Sequence, residues 1–314
     1  MSNKPRVLTI TLNPALDLTG HLNAIRVGAV NVVESGNLHP AGKGINVARV
    51  LRDFGAEVTV SGILGAGNQQ AFREMFKHHQ MEDLFIAVPG DTRINVKLVE
   101  DNGEVTDMNF PGVAVAEDEL KEFEAHLLRQ AGNFEYAVMA GSLPRGVTPE
   151  QGKRIIENLQ SKGIKVIFDS SKTALVKGLE AKPFLIKPNE VELAEWAGRP
   201  LETEADLRQE AEKLRATGIT HIVISRGADG VLWLADDTWW SAKPPRMNVV
   251  STVGAGDSMV AGFAWGLSQG MSPEDILRLA SAVSALAVTQ IGVGVPNQQQ
   301  LADMMTRIDV KRLN

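Results

Sequence analysis

Short apolar, β-branched runs alternate along the chain with longer segments whose apolar residues recur every three to four positions. Residues 7–12 (VLTITL) read as a buried strand stopped by Asn13-Pro14. Residues 44–54 (GINVARVLRDF) place Ile45, Ala48 and Leu51 at helical spacing, with Gly55 as the stop. The same reading makes 58–64, 136–140, 165–168, 184–186 and 221–225 strands. It makes 69–79, 149–161, 172–180 and 204–217 helices, and 258–269, 273–290 and 298–308 three successive helices. Strands alternating with helices predict βαβ units and a mostly parallel sheet.

Two stretches depart from that rhythm. Residues 18–38 are β-rich with no helical period. Residues 92–110 read as a hairpin, TRINVKLVE and EVTDMNF around Asp101-Asn102-Gly103. Joined, these insertions make a small separate sheet that covers the main domain as a lid, and the chain remains one core domain over 1–314. In the strand 93–98, period two puts Ile94, Val96 and Leu98 on one face and Arg93, Asn95 and Lys97 on the other. A face with two cations is either solvated or the wall of a site for an anion.

Composition narrows the function classes. Lys+Arg 32 against Asp+Glu 38 gives a net charge of -6, which argues against nucleic-acid binding through bulk positive charge. The absence of Cys excludes disulfides, thiolate zinc sites and a thiol nucleophile. The opening residues fit neither a signal peptide nor a membrane span, and no later apolar stretch is long enough to cross a bilayer. A soluble, cytoplasmic protein without a membrane partner is expected.

Neither a G-x-x-x-x-G-K-[ST] loop nor a G-x-G-x-x-G fingerprint is present. Three other glycine-rich segments are. His39–Asn46 feeds a helix, and its glycines permit close backbone approach while Lys43 and Asn46 add a charge and a hydrogen-bonding amide. It is equally readable as a tight loop with a solvated Lys. Ser225–Gly230 follows the strand HIVIS and alone is an ordinary turn. In the third, Gly254, Ala255 and Gly256 can aim successive N–H groups at one anion, and Asp257 falls in the first turn of the following helix. Asp is a common first-turn residue. A carboxylate beside an anion nest is also what phosphorylation of an alcohol requires: the carboxylate takes the hydroxyl proton and the N–H groups take charge developing on the phosphoryl group.

Residues 41–48 (AGKGINVA) and 251–262 (STVGAGDSMVAG) resemble, in the right order, the two signatures of the PfkB/ribokinase family of carbohydrate kinases. The resemblance extends through 11–17 (TLNPALD), Gly141-Ser142-Leu143-Pro144, Lys187-Pro188-Asn189 with Glu192, and 225–230. It implies a ribokinase-like three-layer α/β core with a β-lid, the sugar bound between them, and ATP and Mg²⁺ as cofactors. Position by position, it implies Asp257 as the base and Gly254, Ala255 and Gly256 as the anion hole. Asp17, Gly42, Asn46, Asn95 and Ser142 fall on the sugar side. Arg93 and Lys97, with Lys43, lie near a phosphate already on the substrate. Lys187, Ser225, Gly227, Gly230 and Thr252, with Asn189, fall on the nucleotide side, and Glu192 acts on the metal through water. Ala41 stands where ribokinase-type members carry a glycine, a change that the phosphosugar kinases of the family accept. Residues 92–97 and 243–245 look most like members that phosphorylate O6 of fructose 1-phosphate. Tagatose 6-phosphate and fructose 6-phosphate are the rival substrates, and a homodimer joined through the lids is implied. A catalytically silent sugar-phosphate sensor would have no need of Asp257.

Overall fold

The computed structural model describes residues 5–290, 292–295 and 297–313. In chain order the elements are β1 (Arg6–Thr11), β2 (Ala15–Leu22), β3 (Ser35–Ala41), α1 (Lys43–Asp53), β4 (Glu57–Gly65), α2 (Gln70–His78) and β5 (Glu82–Val88). Then come β6 (Ile94–Glu100), β7 (Val105–Met108), α3 (Glu117–Gln130), β8 (Tyr136–Ala140), α4 (Pro149–Ser161), β9 (Lys165–Asp169) and α5 (Lys172–Leu179). The chain continues with β10 (Leu185–Ile186), α6 (Glu190–Ala197), α7 (Glu204–Thr217), β11 (His221–Ser225), β12 (Val231–Ala235) and β13 (Thr238–Lys243). It closes with α8 (Ala255–Ser268), α9 (Pro273–Ala287), α10 (Gln298–Thr306) and β14 (Asp309–Leu313).

Among the described residues, ten strands form one sheet in the order β14-β13-β12-β11-β10-β9-β8-β1-β4-β5. Neighbours from β5 through to β11 are parallel, and β12, β13 and β14 close the other edge antiparallel. Alternation along each strand builds two cores. In β8, Tyr136, Val138 and Ala140 pack with α1, α8 and α9, whereas Ala137 and Met139 pack with α3, α4 and α7. The sheet is therefore buried between two helical layers, as expected. From β1 the chain first builds outward to β4 and β5, then returns beside β1 as β8. A parallel sheet opens a ligand crevice beyond the carboxyl ends of its strands at such a switch point.

The lid is a four-stranded sheet, β3-β2-β6-β7, with β2 and β6 parallel and the two flanking pairs antiparallel. The expected hairpin is present as β6 and β7. The register sets Asp17 beside both His39 and Asn95, and Leu18 beside both Leu38 and Val96. The polar and apolar faces read from residues 93–98 are thus continued across the sheet.

The structure adds β5, α3, α6 and β14, which the apolar runs do not announce. β5 and β14 are sheet edges, and β14 (DVKRL) carries little apolar surface. α3 buries only Leu120, Phe123 and Leu127, and α6 only Leu193. Helix starts follow local chemistry: Thr148 and Thr203 accept hydrogen bonds from the backbone N–H groups of Gln151 and Asp206. Among the described residues no helix is long and apolar enough to cross a membrane.

Candidate active site

The crevice between lid and sheet is a cleft of about 500 Å³. Its floor is the start of α8. Gly254 caps that helix with φ 81°, a left-handed conformation, and a side chain there would run into Val293. Gly254 thereby turns the chain into α8, where Gly254 and Gly256 line the cleft while Ala255 N donates to Thr252 O at 3.4 Å. Asp257 sits at the third helical position, 6% exposed. Asn46, in the first turn of α1, donates from Nδ2 to Asp257 Oδ2 at 2.7 Å. Gly42 lets the preceding loop approach closely, because a Cβ there would lie 2.8 Å from Thr11 Cγ2. Burial pushes the Asp257 carboxyl up to about 6, and Asp169 adds to the rise. Lys43, the Asn46 hydrogen bond and Lys187 restrain it.

Behind Asp257 lies a cluster that the glycine motifs do not reveal. Asp169, the last residue of β9, is 1% exposed. Lys43 Nζ donates to its Oδ2 at 3.3 Å, and Lys187 Nζ lies 3.5 Å from its Oδ1. Burial alone would raise the Asp169 carboxyl, but Lys187 and Lys43 outweigh it and hold it below the usual carboxylate value. Asp169 in turn raises Lys43. Asp169 could have been noticed in the sequence as a charge ending the apolar strand KVIFD, where a parallel sheet places its ligands.

The lid forms the cleft's roof with its polar face. Asp17, Arg93, Asn95 and Lys97 all line it. Their pairing differs from a wall of free cations. Asp17 accepts from Asn95 Nδ2 at 3.1 Å and is ion-paired with Lys97 Nζ. Arg93 spreads its guanidinium over three carbonyls: Nη2 to Asn13 at 3.0 Å, Nη1 to Phe110 at 3.2 Å and Nε to Pro14 at 3.3 Å. It clips together the β1–β2 and β7–α3 connections between core and lid while lining the cleft. Asp107 and Asn109 also line it. The alternation of residues 105–109 puts them on the face of Lys97, a pattern readable from the second hairpin strand.

The opposite wall carries Lys187, Asn189, Glu192, Ser225 and Thr252. Asn189 caps α6, accepting from Glu192 N at 2.8 Å while Glu192 Oε2 accepts from Asn189 N at 2.9 Å. This box fixes both side chains at the cleft edge. No cluster of three or more potential metal-binding side chains exists among the described residues. The donor set here, one carboxylate and one amide, fits a magnesium ion that keeps most of its waters and takes its other oxygens from phosphate.

Some expected site residues stand off the cleft. Ser142 accepts from Asn13 Nδ2 at 3.0 Å and does not line the cleft. Gly227 and Gly230 shape the turn after β11, where Arg226 N donates to Gly230 O at 2.8 Å, and neither lines the cleft. Ala255 starts α8 without lining it.

The family described as pfkB family carbohydrate kinase matches residues 11–300. The chain is 53% identical over 308 residues to a protein of Vibrio cholerae serotype O1 named 1-phosphofructokinase, covering 98% of this chain and 97% of that one. It is 50% identical over 309 residues to the 1-phosphofructokinase of Escherichia coli K12, covering 98% and 99%. Among solved structures it is similar to Escherichia coli phosphofructokinase-2 in complex with substrates and products. The TM-score there is 0.87 at 28% identity, covering 96% of this chain and 98% of that one.

Proposed function

The chain belongs to the pfkB family of carbohydrate kinases, and from that premise we propose that it transfers the γ-phosphoryl group of ATP to O6 of fructose 1-phosphate, giving fructose 1,6-bisphosphate. The observation that carries the reading is the buried Asp257 behind the Gly254–Gly256 turn, facing a lid whose polar wall bears Arg93 and Lys97. Identity of 50% and above to proteins named 1-phosphofructokinase, over nearly the whole chain, favours fructose 1-phosphate over fructose 6-phosphate or tagatose 6-phosphate.

In this reading the sugar lies under the lid, its hydroxyls held by Asp17, Asn95 and Asn46 and its phosphate met by Arg93, Lys97 and Lys43. ATP enters along the wall of Lys187, Asn189, Ser225 and Thr252. Asp257, held near 6 by burial, is mostly ionised at neutral pH yet basic enough to accept a proton. As O6 bonds to the γ-phosphorus and the bond to the ADP oxygen breaks, the O6 proton passes to Asp257. The N–H groups at the start of α8 stabilise the charge on the phosphoryl oxygens, with Lys187 beside them. Magnesium, held through water by Glu192 and Asn189, would shield the phosphate charge.

The same reading treats the chain as one kinase domain working in the cytoplasm, with the lid as two insertions. It makes the lid's outer face a homodimer contact. Leu38, Leu18, Val96 and Met108 form one cross-strand row there, and Leu38, Leu18 and Met108 are 50%, 36% and 43% exposed. Phosphorus NMR of the product tests the assignment. One sugar product bearing both phosphates, at C1 and C6, is expected from fructose 1-phosphate and ATP; ADP release without a bisphosphate would contradict it.

A further inference from the structure

A cleft that takes two anionic substrates has, at its back, a fully buried carboxylate, and among the described residues its side-chain partners are two lysines. Lys43 comes from the first turn of α1 on the sugar side. Lys187 comes from the end of β10 on the nucleotide side, close enough to the anion nest that a Cβ on Gly256 would lie 3.3 Å from its Nζ. Asp169 stands between them, 3.3 Å from one ammonium and 3.5 Å from the other, at the end of a central strand. A lysine is a point charge on a flexible stem, and by itself it does not hold an exact position. The geometry points to Asp169 as a positioning residue that ties the sugar-side and nucleotide-side lysines into one rigid unit around the phosphoryl group in flight. This deepens the proposed kinase reading and rests on it.

Two consequences separate such a role from simple support of the fold. The first is a division between binding and rate. Removing the Asp169 charge leaves the cleft one unit more positive, so ground-state binding of ATP is not lost. The two ammoniums, no longer fixed, fall out of register with a transition state that tolerates little displacement. The second concerns the base. The charged groups facing Asp257 are Lys43 from α1, Asp169 from β9 and Lys187 after β10, with the Asn46 amide as its hydrogen-bond donor. Neutralising Asp169 removes the like charge and leaves both lysines unpaired. Both changes favour ionised Asp257 and move the acid limb of the rate profile toward lower pH.

The test compares parent, Asp169→Asn and Asp169→Glu. ATP affinity is measured by calorimetry, and the pH dependence of kcat/KM for fructose 1-phosphate by ADP release. The titration of the substrate phosphate is common to all three enzymes and does not distinguish them. Asp169→Asn is expected to lower kcat by about 10–100-fold while weakening ATP by less than about 3-fold, and to shift the acid limb down by about half a pH unit or more. Asp169→Glu keeps the charge but displaces it by one methylene, so the limb should stay with the parent while kcat falls. An Asn variant with an unmoved limb, or with ATP affinity reduced as much as kcat, overturns the proposal. So does a Glu variant with the parent kcat, and this second arm decides the matter if the Asn variant does not fold. A parent that makes no ADP with fructose 1-phosphate would instead defeat the kinase reading, and calorimetry on the variants would still show whether Asp169 governs nucleotide binding.

Discussion

Asn46 Nδ2 donates to Asp257 Oδ2 at 2.7 Å, joining α1 to α8 through two residues that lie 211 positions apart in the chain. The contact engages one carboxylate oxygen of Asp257 and fixes the carboxylate at the start of α8. Asp257→Asn should reduce kcat by about 10²–10⁴, the range for loss of a general base, with the KM for sugar phosphate changed only a few-fold. Steady-state kinetics check this, and near-parental kcat in the variant would exclude Asp257 as the base.

Stability gives the same residue an independent signature. The folded-state pKa of Asp257, about 6, lies above the unfolded value of 3.8, so the native state binds more protons between those limits. This group therefore favours folding below about pH 4, and the contribution is lost as pH rises through about 6. Asp257→Asn removes the cost of a buried charge and should be more stable than the parent at pH 8, by about 1–3 kcal/mol. Urea denaturation at pH 8 measures it; a variant less stable than the parent would mean that the buried charge is compensated.

His221 acts in the opposite sense. It is buried among Phe184 and Trp233, and burial lowers its pKa from 6.5 to about 4. The unfolded chain binds the extra proton in that window, so the stability from neutral His221 is complete above about pH 6.5 and lost as pH falls toward 4. His221→Asn should flatten the decline in stability between pH 6.5 and 4 relative to the parent. Denaturation midpoints that fall in parallel for both proteins would contradict this.

The lid's two cations should separate. Lys97 is held by Asp17, whereas Arg93 is held by carbonyls of the β1–β2 and β7–α3 connections. Lys97→Ala should raise KM for fructose 1-phosphate by roughly 10-fold and leave KM for ATP unchanged, as expected for one charge-assisted contact. Arg93→Ala should raise the same KM by roughly 10–150-fold and lower kcat as well, because it also unclips the lid. A change in ATP KM without one in sugar-phosphate KM would assign the cationic face to the nucleotide.

Most of the architecture was legible because it rests on periodicity. The strand 136–140 and the helices 149–161 and 204–217 fall where their apolar spacing puts them. The edge strands β5 and β14 were not, since a strand with little buried surface leaves little pattern. The Gly254–Gly256 turn, Asn46 and the polar lid face were legible through glycines and period-two alternation. Asp169 was not, because its importance comes from meeting Lys43 and Lys187, residues 126 and 18 positions away, and no local motif encodes such a meeting. The pairing of Lys97 with Asp17 likewise depends on the parallel β2–β6 register, which joins two separate insertions.

The cleft is predicted to select a ketose already phosphorylated at C1. The most direct measurement is kcat/KM, from ADP release, for fructose 1-phosphate, fructose 6-phosphate, tagatose 6-phosphate and fructose. Fructose 1-phosphate is predicted to exceed each of the others by at least about 100-fold, the discrimination expected of well-placed charged contacts. Fructose should be turned over no worse by Lys97→Ala than by the parent. A preference for fructose 6-phosphate, or comparable turnover of free fructose, would contradict the claim.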